Sequence, residues 1–211
     1  MKKFSNIYIL LYSGALLAAA AIVLSVANML LAPRQQHNEQ LEQKMLILKA
    51  SGIEATARNA DRLFSDSIST VNLGSDEEPL PAYRCGDRHI IELHGNGLWG
   101  PIWGYLCFDA QWTVCGAVFD HKGETPGLGG NISTEEFARR FVGKSCLDAT
   151  AQFIPIILKK NANNNSKHEV DAISGGTMTS NGVTNMLHDC LAPYSTCMQQ
   201  TVRAQVTSDE Q

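Results

Sequence analysis

The sequence predicts an α+β fold in which a single N-terminal transmembrane helix precedes one domain with a mixed or antiparallel sheet and flanking helices. Three observations support this prediction. No charged residue occurs from Phe4 to Pro33, the 178 residues after Pro33 suffice for one domain, and the strand-like runs there follow one another without a helix between each pair. The predicted organisation is a tail and transmembrane helix at 1–33, a helical stalk at 34–52 and the domain at 53–211.

The N-terminal segment from Ile7 to Ala32 is apolar nearly throughout and exceeds the roughly 20 residues that cross a hydrocarbon layer. Lys2 and Lys3 precede it, and only Arg34 follows closely. The excess of positive charge on the cytoplasmic side of membrane helices therefore predicts a cytoplasmic N-terminus and a domain outside. A cleaved signal peptide with a small-residue site near 18–21 is the alternative.

The stalk is predicted from a helical repeat that follows the apolar segment. Pro33 stands where the helix would leave the lipid, and Leu41, Met45 and Leu48 then recur at i, i+4 and i+7. Gly52 supplies a stop signal. The pattern indicates a short amphipathic helix whose apolar stripe packs on the domain or on another membrane subunit.

The domain contains five apolar or β-branched runs that are bounded by Gly, Asp or Asn, and each run is predicted to be a strand. The polar stretches 74–81 and 161–166 are predicted to be a surface loop and a connecting turn. The strands are His89–Leu93, Trp103–Phe108, Val114–Phe119, Phe153–Leu158 and Glu169–Ile173.

Two segments carry helical patterns. Ser133 and Glu136 have the spacing of a capping box ahead of Phe137. A second helix is predicted to begin near Asn181. Its apolar face consists of Val183, Met186, Leu187, Cys190 and Leu191.

The composition and the motifs of the sequence argue against several functional classes. Beyond Pro33 the chain has 15 basic and 21 acidic residues, a net charge of −6, so a nucleic-acid partner is not expected. HExxH, GxSxG and a Walker loop are absent from the sequence, which weakens hydrolase and NTPase assignments. Gly95 to Gly100 fits GxGxxG, but Pro101 leads into another strand rather than the helix that a dinucleotide fingerprint requires.

The six cysteines are an even number in a domain predicted to lie outside the membrane, where disulfides are permitted. Their connectivity stays open. Cys107 and Cys115 fall within apolar strands, where plain burial is the commonest outcome, and Cys190 and Cys197 are the nearest candidates for a pair.

Two Gly-rich segments are the candidate ligand sites. Gly123–Gly130 holds four glycines and a proline, which would let backbone approach a flat ligand, although an ordinary surface turn has the same composition. Asp171–Ser180 joins a strand to a helix, so its N–H groups and hydroxyls would gather at a helix N-terminus and favour an anion. A hydroxyl cap at Thr179 or Ser180 would explain it without a ligand.

Three segments, GNGLWGPIWGY, GETPGLGG and DAISGGTMTS, occur in an order and spacing that resemble one family. It is the FMN-binding domain shared by the C subunit of the sodium-translocating NADH:quinone oxidoreductase and the G subunit of the Rnf electron-transport complex. The resemblance covers most of the chain, including the anchor. It implies that a flavin transferase esterifies FMN, through its phosphate, to Thr177, with Gly176 in place of the usual alanine.

The resemblance also implies which other residues contact the cofactor, and it implies neither a catalytic residue nor a metal ligand. Trp99 and Leu128 are plausible apolar ring contacts, although a large tryptophan is more often core packing. The full set of implied contacts is Leu98, Trp99, Glu124, Thr125, Gly127, Leu128, Gly129, Ser174, Gly175, Gly176 and Thr179.

The implied function is a membrane-anchored electron-transfer subunit that carries covalent FMN, lacks a complete active site of its own and works with other membrane subunits of the sodium-translocating complex. Its expected location is a bacterial inner membrane, with the domain on the periplasmic side. The Rnf subunit is the alternative with the same cofactor, but GLWGPIWGY resembles the sodium-pump subunit more. An anchored extracytoplasmic ligand-binding domain and, should Thr177 be unmodified, a structural assembly subunit are the alternatives from other classes.

Overall fold

The computed structural model describes residues 6–163 and 165–209. These residues divide into two compact units, with the boundary between Gln43 and Lys44. The α+β prediction is confirmed: a long apolar helix is followed by a domain with an antiparallel sheet and helices. Lys2 and Lys3, on which the predicted orientation depends, lie outside the described residues.

Helix α1 runs over Asn6–Ala50 without a break. Its most apolar 18-residue window has a mean hydropathy of 2.3, and none of that window is buried, so length and composition fit a membrane anchor. Pro33 lies inside the helix rather than at its end, although proline removes one backbone hydrogen bond there.

The last turn of α1 ends where the sequence predicts. Leu48 is buried within the second unit, and the Ile53 N–H bonds to the Leu48 carbonyl oxygen at 2.9 Å. Gly52 has a φ of +82°, a conformation that glycine adopts at little cost. The predicted stop at this glycine is therefore confirmed.

The main sheet of the domain has five antiparallel strands in the order β1-β2-β3-β4-β5, each paired with the next along the chain. The runs predicted from 89, 103 and 114 are its strands β3, β4 and β5. Helix α2 and the first two strands were not predicted; the strands are short and largely exposed. The bounds are α2 Ala60–Ser67, β1 Ser69–Asn72, β2 Pro81–Cys85, β3 Arg88–Asn96, β4 Pro101–Phe108 and β5 Val114–His121.

The second half of the domain holds helices and a small parallel sheet. The predicted strand at 153–158 is only partly formed, since strand pairing begins at Ile157 and Phe153 makes an isolated bridge to Leu147. The elements are a 3₁₀ helix Gly129–Ser133, α3 Glu135–Arg139, β6 Ile157–Lys159, β7 Glu169–Asp171, α4 Thr177–Leu191, a 3₁₀ turn Ala192–Tyr194 and α5 Ser195–Asp209.

The start of α3 differs from the prediction by one residue. Thr134, not Ser133, is the N-cap, and its hydroxyl accepts a hydrogen bond from the Phe137 N–H at 3.3 Å. The Ser133 hydroxyl instead donates to the Gly130 carbonyl oxygen, because Ser133 still belongs to the preceding 3₁₀ helix.

The core lies between the main sheet and α4. Four of the five residues of the predicted apolar face of α4 are buried, and Cys190 is partly exposed. The helix approaches the sheet so closely that only glycine fits at two positions. A Cβ on Gly95 would lie 2.7 Å from Met186, and a Cβ on Gly182 would lie 2.3 Å from the Asn96 carbonyl oxygen. Each large side chain buried in this layer stabilises the fold by about 1.5–3 kcal/mol.

All six cysteines are free thiols. The suggested pairing of Cys190 with Cys197 is not present, and the Cys190 sulfur lies 3.4 Å from both the backbone nitrogen and the carbonyl oxygen of His94.

Candidate functional site

Three segments that are distant in sequence meet at one end of the main sheet. They are the β3–β4 turn, the loop after β5 and the loop that leads into α4. The turn closes through the Gly97 N–H, which donates to the Gly100 carbonyl oxygen at 2.8 Å. The GxGxxG match is thus a hairpin between two strands, as the sequence predicted, and not a dinucleotide loop.

Glu124 joins the three segments. Its side chain is 3% exposed, and its carboxylate accepts hydrogen bonds from the Thr179 hydroxyl at 2.5 Å and the Trp99 N–H at 2.8 Å. A Cβ on Gly97 or Gly129 would lie within 2.5 Å of the same carboxylate, so both glycines are needed for the backbone to approach it. The Glu124 carboxylate therefore faces the protein interior and holds the turn and α4 against its own loop.

The charge of Glu124 is stabilised where it lies. Burial by itself raises the pKa of this carboxyl, but the hydrogen bonds from Thr179, Trp99 and the Leu98 N–H outweigh that effect, with a smaller contribution from His121. The net result is a pKa below the ordinary glutamate value of 4.5. Glu124 is consequently ionised at neutral pH although it is buried.

The structure sorts the four hydroxyl side chains of the second Gly-rich segment into two groups. Thr179 and Ser180 are each 1% exposed, and both are engaged: Thr179 donates to Glu124, and Ser180 accepts from the Ile173 N–H at 3.1 Å. Thr177 and Ser174 are exposed. Within this segment, only these last two hydroxyls are accessible to a cofactor.

Helix α4 begins four residues earlier than predicted, at Thr177. Its N-cap is Gly176, with no side-chain cap, so a hydroxyl cap at Thr179 or Ser180 is ruled out. The N–H groups of a first helical turn have no acceptor within the helix, and they favour an anion. Thr177 therefore presents its hydroxyl directly at the positive end of a 15-residue helix.

Two glycines shape the approach to Thr177. Gly175 has a φ of +74°, which favours glycine, and the Leu128 side chain lies against it. Gly176 is buried, and a Cβ there would lie 3.0 Å from Ile173 Cγ2 and 3.3 Å from Gly129 Cα. An alanine at this position requires Ile173 to move by a few tenths of an ångström.

Exposed apolar side chains stand on the same three segments. Trp99 is 69% exposed, so the core-packing alternative for it is wrong, and Leu98 and Leu128 are also exposed. Met178, which was not predicted as a site residue, follows Thr177 in the first turn of α4 and is exposed too. Apolar side chains displayed together at the surface of a domain mark a binding site for an apolar ligand or partner.

The loop after β5 is a rigid turn. The Thr125 carbonyl oxygen accepts from the N–H groups of Leu128 and Gly130 at 3.1 and 3.0 Å. Gly127 has a φ of +77° and is exposed. The turn holds Leu128 outward, beside the segment that precedes α4.

A cleft of about 650 Å³ lies between this turn, α3 and the loop before α4. Arg140 lies in its wall, donates to the Asp171 carbonyl oxygen at 3.2 Å and pairs with Glu136 at 2.8 Å. Arg140 and Glu136 were not predicted as site residues, although they have an i, i+4 spacing. The lining residues are Gly127, Leu128, Asn131, Thr134, Glu136, Phe137, Arg140, Ile173, Ser174 and Gly175.

Residues 97–192, which include all three segments, match the FMN-binding domain family. The C subunit of the Na(+)-translocating NADH-quinone reductase of Vibrio anguillarum is 27% identical over 213 aligned positions, covering 80% of this chain and 84% of the relative. The crystal structure of the C subunit of the same enzyme from Parabacteroides distasonis is 32% identical, with a TM-score of 0.71, over 80% of this chain and 96% of that one. NqrC of Shewanella oneidensis, at 22% identity and a TM-score of 0.64, covers 76% of this chain and 96% of its own and shows the shared fold.

Proposed function

This chain belongs to the family of the C subunit of the Na(+)-translocating NADH-quinone reductase, and from that premise we propose that it is an FMN-carrying electron-transfer subunit of such a complex. The flavin supplies the redox chemistry when bound, and the protein supplies its position and surroundings. No side chain of this chain is needed as an acid or a base for that role.

The proposed attachment point is Thr177, through a phosphoester to FMN. The observation that carries this assignment is the sorting of hydroxyls: Thr177 is exposed at the first residue of α4, while Thr179 and Ser180 are buried and already bonded. A phosphodiester keeps one negative charge, which the first-turn N–H groups of α4 favour. Ser174 is the other exposed hydroxyl of this segment, but it precedes the helix and lacks this environment.

The residues around Thr177 fit a flat, partly apolar cofactor. Leu98, Trp99, Leu128 and Met178 offer exposed apolar surface, and the neighbouring cleft offers room. These side chains would cover the ring without sealing it from solvent. An open site suits a carrier that must pass electrons to a neighbouring subunit.

The membrane part of the proposal rests on α1. Its exposed apolar stretch suits a single-pass anchor in a bacterial inner membrane, with the domain on the periplasmic side. The partners are the other membrane subunits of the complex and, during maturation, a flavin transferase. A reporter active only outside the cytoplasm, fused after Gln211, should work, whereas a cytoplasmic reporter in that place should not; the reverse result contradicts the orientation.

The attachment is tested by expressing the full chain with a flavin transferase and measuring its intact mass and its flavin fluorescence after denaturation. We expect Thr177→Ala to abolish both the added FMN mass and the fluorescence. Ser174→Ala is the matched control, because it removes the other exposed hydroxyl of the segment, and it should keep the cofactor. Loss of the flavin in Ser174→Ala together with its retention in Thr177→Ala would assign the linkage to Ser174 and refute the proposal.

A further inference from the structure

Two cysteine sulfurs lie in contact at the end of the sheet opposite the candidate site. The Cys115 sulfur is 3.2 Å from the Cys107 sulfur and 3.3 Å from the Cys107 carbonyl oxygen. The two residues stand on neighbouring strands, β4 and β5. Neither belongs to the segments proposed to hold the cofactor.

A β-bulge brings the sulfurs together. Cys107 pairs with Gly116 and Phe108 pairs with Val114, so Cys115 is the extra residue between two pairs. A bulge re-aims the side chain of its extra residue. Here the Cys115 side chain is directed toward Cys107.

We propose that Cys107 and Cys115 form a reversible disulfide that closes on exposure to a disulfide oxidant. The sulfurs need to approach by about 1.2 Å to reach the bond length of about 2.05 Å. Two thiols then lose two protons and two electrons, one S–S bond forms, and the disulfide of the oxidant is reduced to two thiols. In the cell such an oxidant is available if the domain lies outside the cytoplasm, a condition that rests on the proposed location.

The two sulfurs have different accessibility, which gives the reaction an order. Cys107 is fully buried, whereas Cys115 is partly exposed and lines a groove of about 690 Å³ beside Ala50 and Val118. Cys115 therefore attacks the oxidant first, forming a mixed disulfide and releasing one thiolate. The thiolate of Cys107 then attacks the Cys115 sulfur and releases the second thiolate of the oxidant.

The electrostatic surroundings agree with that order. The hydrogen-bonding contact with Cys107, supported by the Arg88 guanidinium, outweighs partial burial and lowers the pKa of the Cys115 thiol from its ordinary value. The same contact, together with burial, raises the pKa of Cys107. A lowered pKa increases the fraction of Cys115 present as thiolate, which is the form that attacks a disulfide.

The disulfide would crosslink β4 and β5 next to the end of α1. A Cβ on Gly116 would clash with the Ala50 carbonyl oxygen, and Arg88 Nη1 donates to the Ser51 carbonyl oxygen at 3.1 Å. The bond would thus lock the strand pair on which the end of α1 packs. Because it encloses only residues 108–114, it restricts the unfolded chain less than a disulfide that closes a longer loop would.

The pair can be detected in one tryptic peptide. Cleavage after Arg88 and Lys122 releases residues 89–122, which contain Cys107 and Cys115 and no other cysteine. The full-length chain is purified in detergent, reduced with dithiothreitol, freed of it, and incubated with oxidised glutathione. It is then alkylated under denaturing conditions and digested.

We expect the oxidised sample to yield this peptide without alkyl groups and lighter by two hydrogen atoms than the dithiol form. Renewed reduction should restore two alkylation sites. Cys85→Ser is the matched control, because Cys85 is the other thiol near this pair, and it should leave the result unchanged. Cys115→Ser should abolish the internal bond.

Two results overturn the proposal. One is a peptide that still carries two alkyl groups after oxidation. The other is a peptide linked to the one that contains Cys85, which would make Cys85 the partner. Loss of covalent FMN in a variant would count against the proposed function. The mass of this peptide does not depend on FMN, so it tests the disulfide separately.

Discussion

Replacing Glu124 by alanine tests whether this buried carboxylate holds the candidate site together. The change leaves the buried Thr179 hydroxyl, the part-buried Trp99 N–H and the Leu98 N–H without their acceptor. A buried donor that loses its partner costs about 1–3 kcal/mol. Because water entering the vacated space offsets part of that cost, we expect the free energy of unfolding to fall by about 2–4 kcal/mol.

Glutamine at the same position separates the charge from the hydrogen bonds. Its amide oxygen can still accept from the Trp99 N–H, and the Thr179 hydroxyl can turn to accept from the amide nitrogen. We therefore expect Glu124→Gln to cost only about 1 kcal/mol, since it loses mainly the stronger bonds of a charged acceptor.

The assay is equilibrium denaturation of the full chain in detergent, followed by circular dichroism, with flavin fluorescence recorded on the same samples. Glu135→Ala is the control: this glutamate forms an exposed ion pair with Arg139, so its removal should cost less than about 1 kcal/mol. Glu124 does not hold the site together if Glu124→Ala unfolds like the control, or if Glu124→Gln is as destabilised as Glu124→Ala.

Three further predictions concern the same site. The pKa of Glu124 is lower in the folded chain than its ordinary value. The ionised carboxylate therefore contributes to the free energy of unfolding above about pH 4.5, and this contribution is lost as the pH falls through the lowered folded pKa. Denaturation at a series of pH values should show this loss in the wild type and not in Glu124→Gln. Gly127→Val should lower the free energy of unfolding by about 1–3 kcal/mol, because the φ of +77° at this position strains a β-branched residue. Gly127→Asn should stay close to wild type, since asparagine tolerates that conformation. Equal stability of the two variants in denaturant would show that this backbone strain is absent. Leu128→Asp places a charge beside an apolar ring, so it should shift the absorbance and the reduction potential of the bound flavin. The mass of FMN attached at Thr177 should persist. An unchanged spectrum would remove Leu128 from the residues that contact the flavin.

Local patterns in the sequence predicted the elements that local physics controls. The apolar run of α1, the apolar strands β3 to β5 and the buried face of α4 repeat at the periods of a membrane helix, a strand and an amphipathic helix. Strands β1 and β2 escaped prediction because they are short and mostly exposed, so no apolar run marks them. They exist because each pairs with a neighbour in the sheet.

The residues of the candidate site could be named from the sequence, but their separate roles could not. The motif around Thr177 identified the right segment, whereas the accessibility of its hydroxyls depends on contacts across 55 residues, such as that between Thr179 and Glu124. Met178 and Arg140 were not predicted as site residues. The exposure of Met178 and the position of Arg140 at the cleft depend on the folded chain and cannot be recognised from a local sequence pattern.

By itself, then, the sequence determined the kind of chain this is: an apolar helix, one α+β domain and two Gly-rich segments whose resemblance to an FMN-binding family identified them. Only the tertiary structure decided that Glu124 faces inward, that Thr177 opens a helix with its hydroxyl exposed, and that the Cys107 and Cys115 sulfurs touch. The physical reason is that periodicity and turn chemistry act between near neighbours in the chain. Burial, hydrogen-bond partners and pKa values are set instead by groups that folding brings together from distant segments.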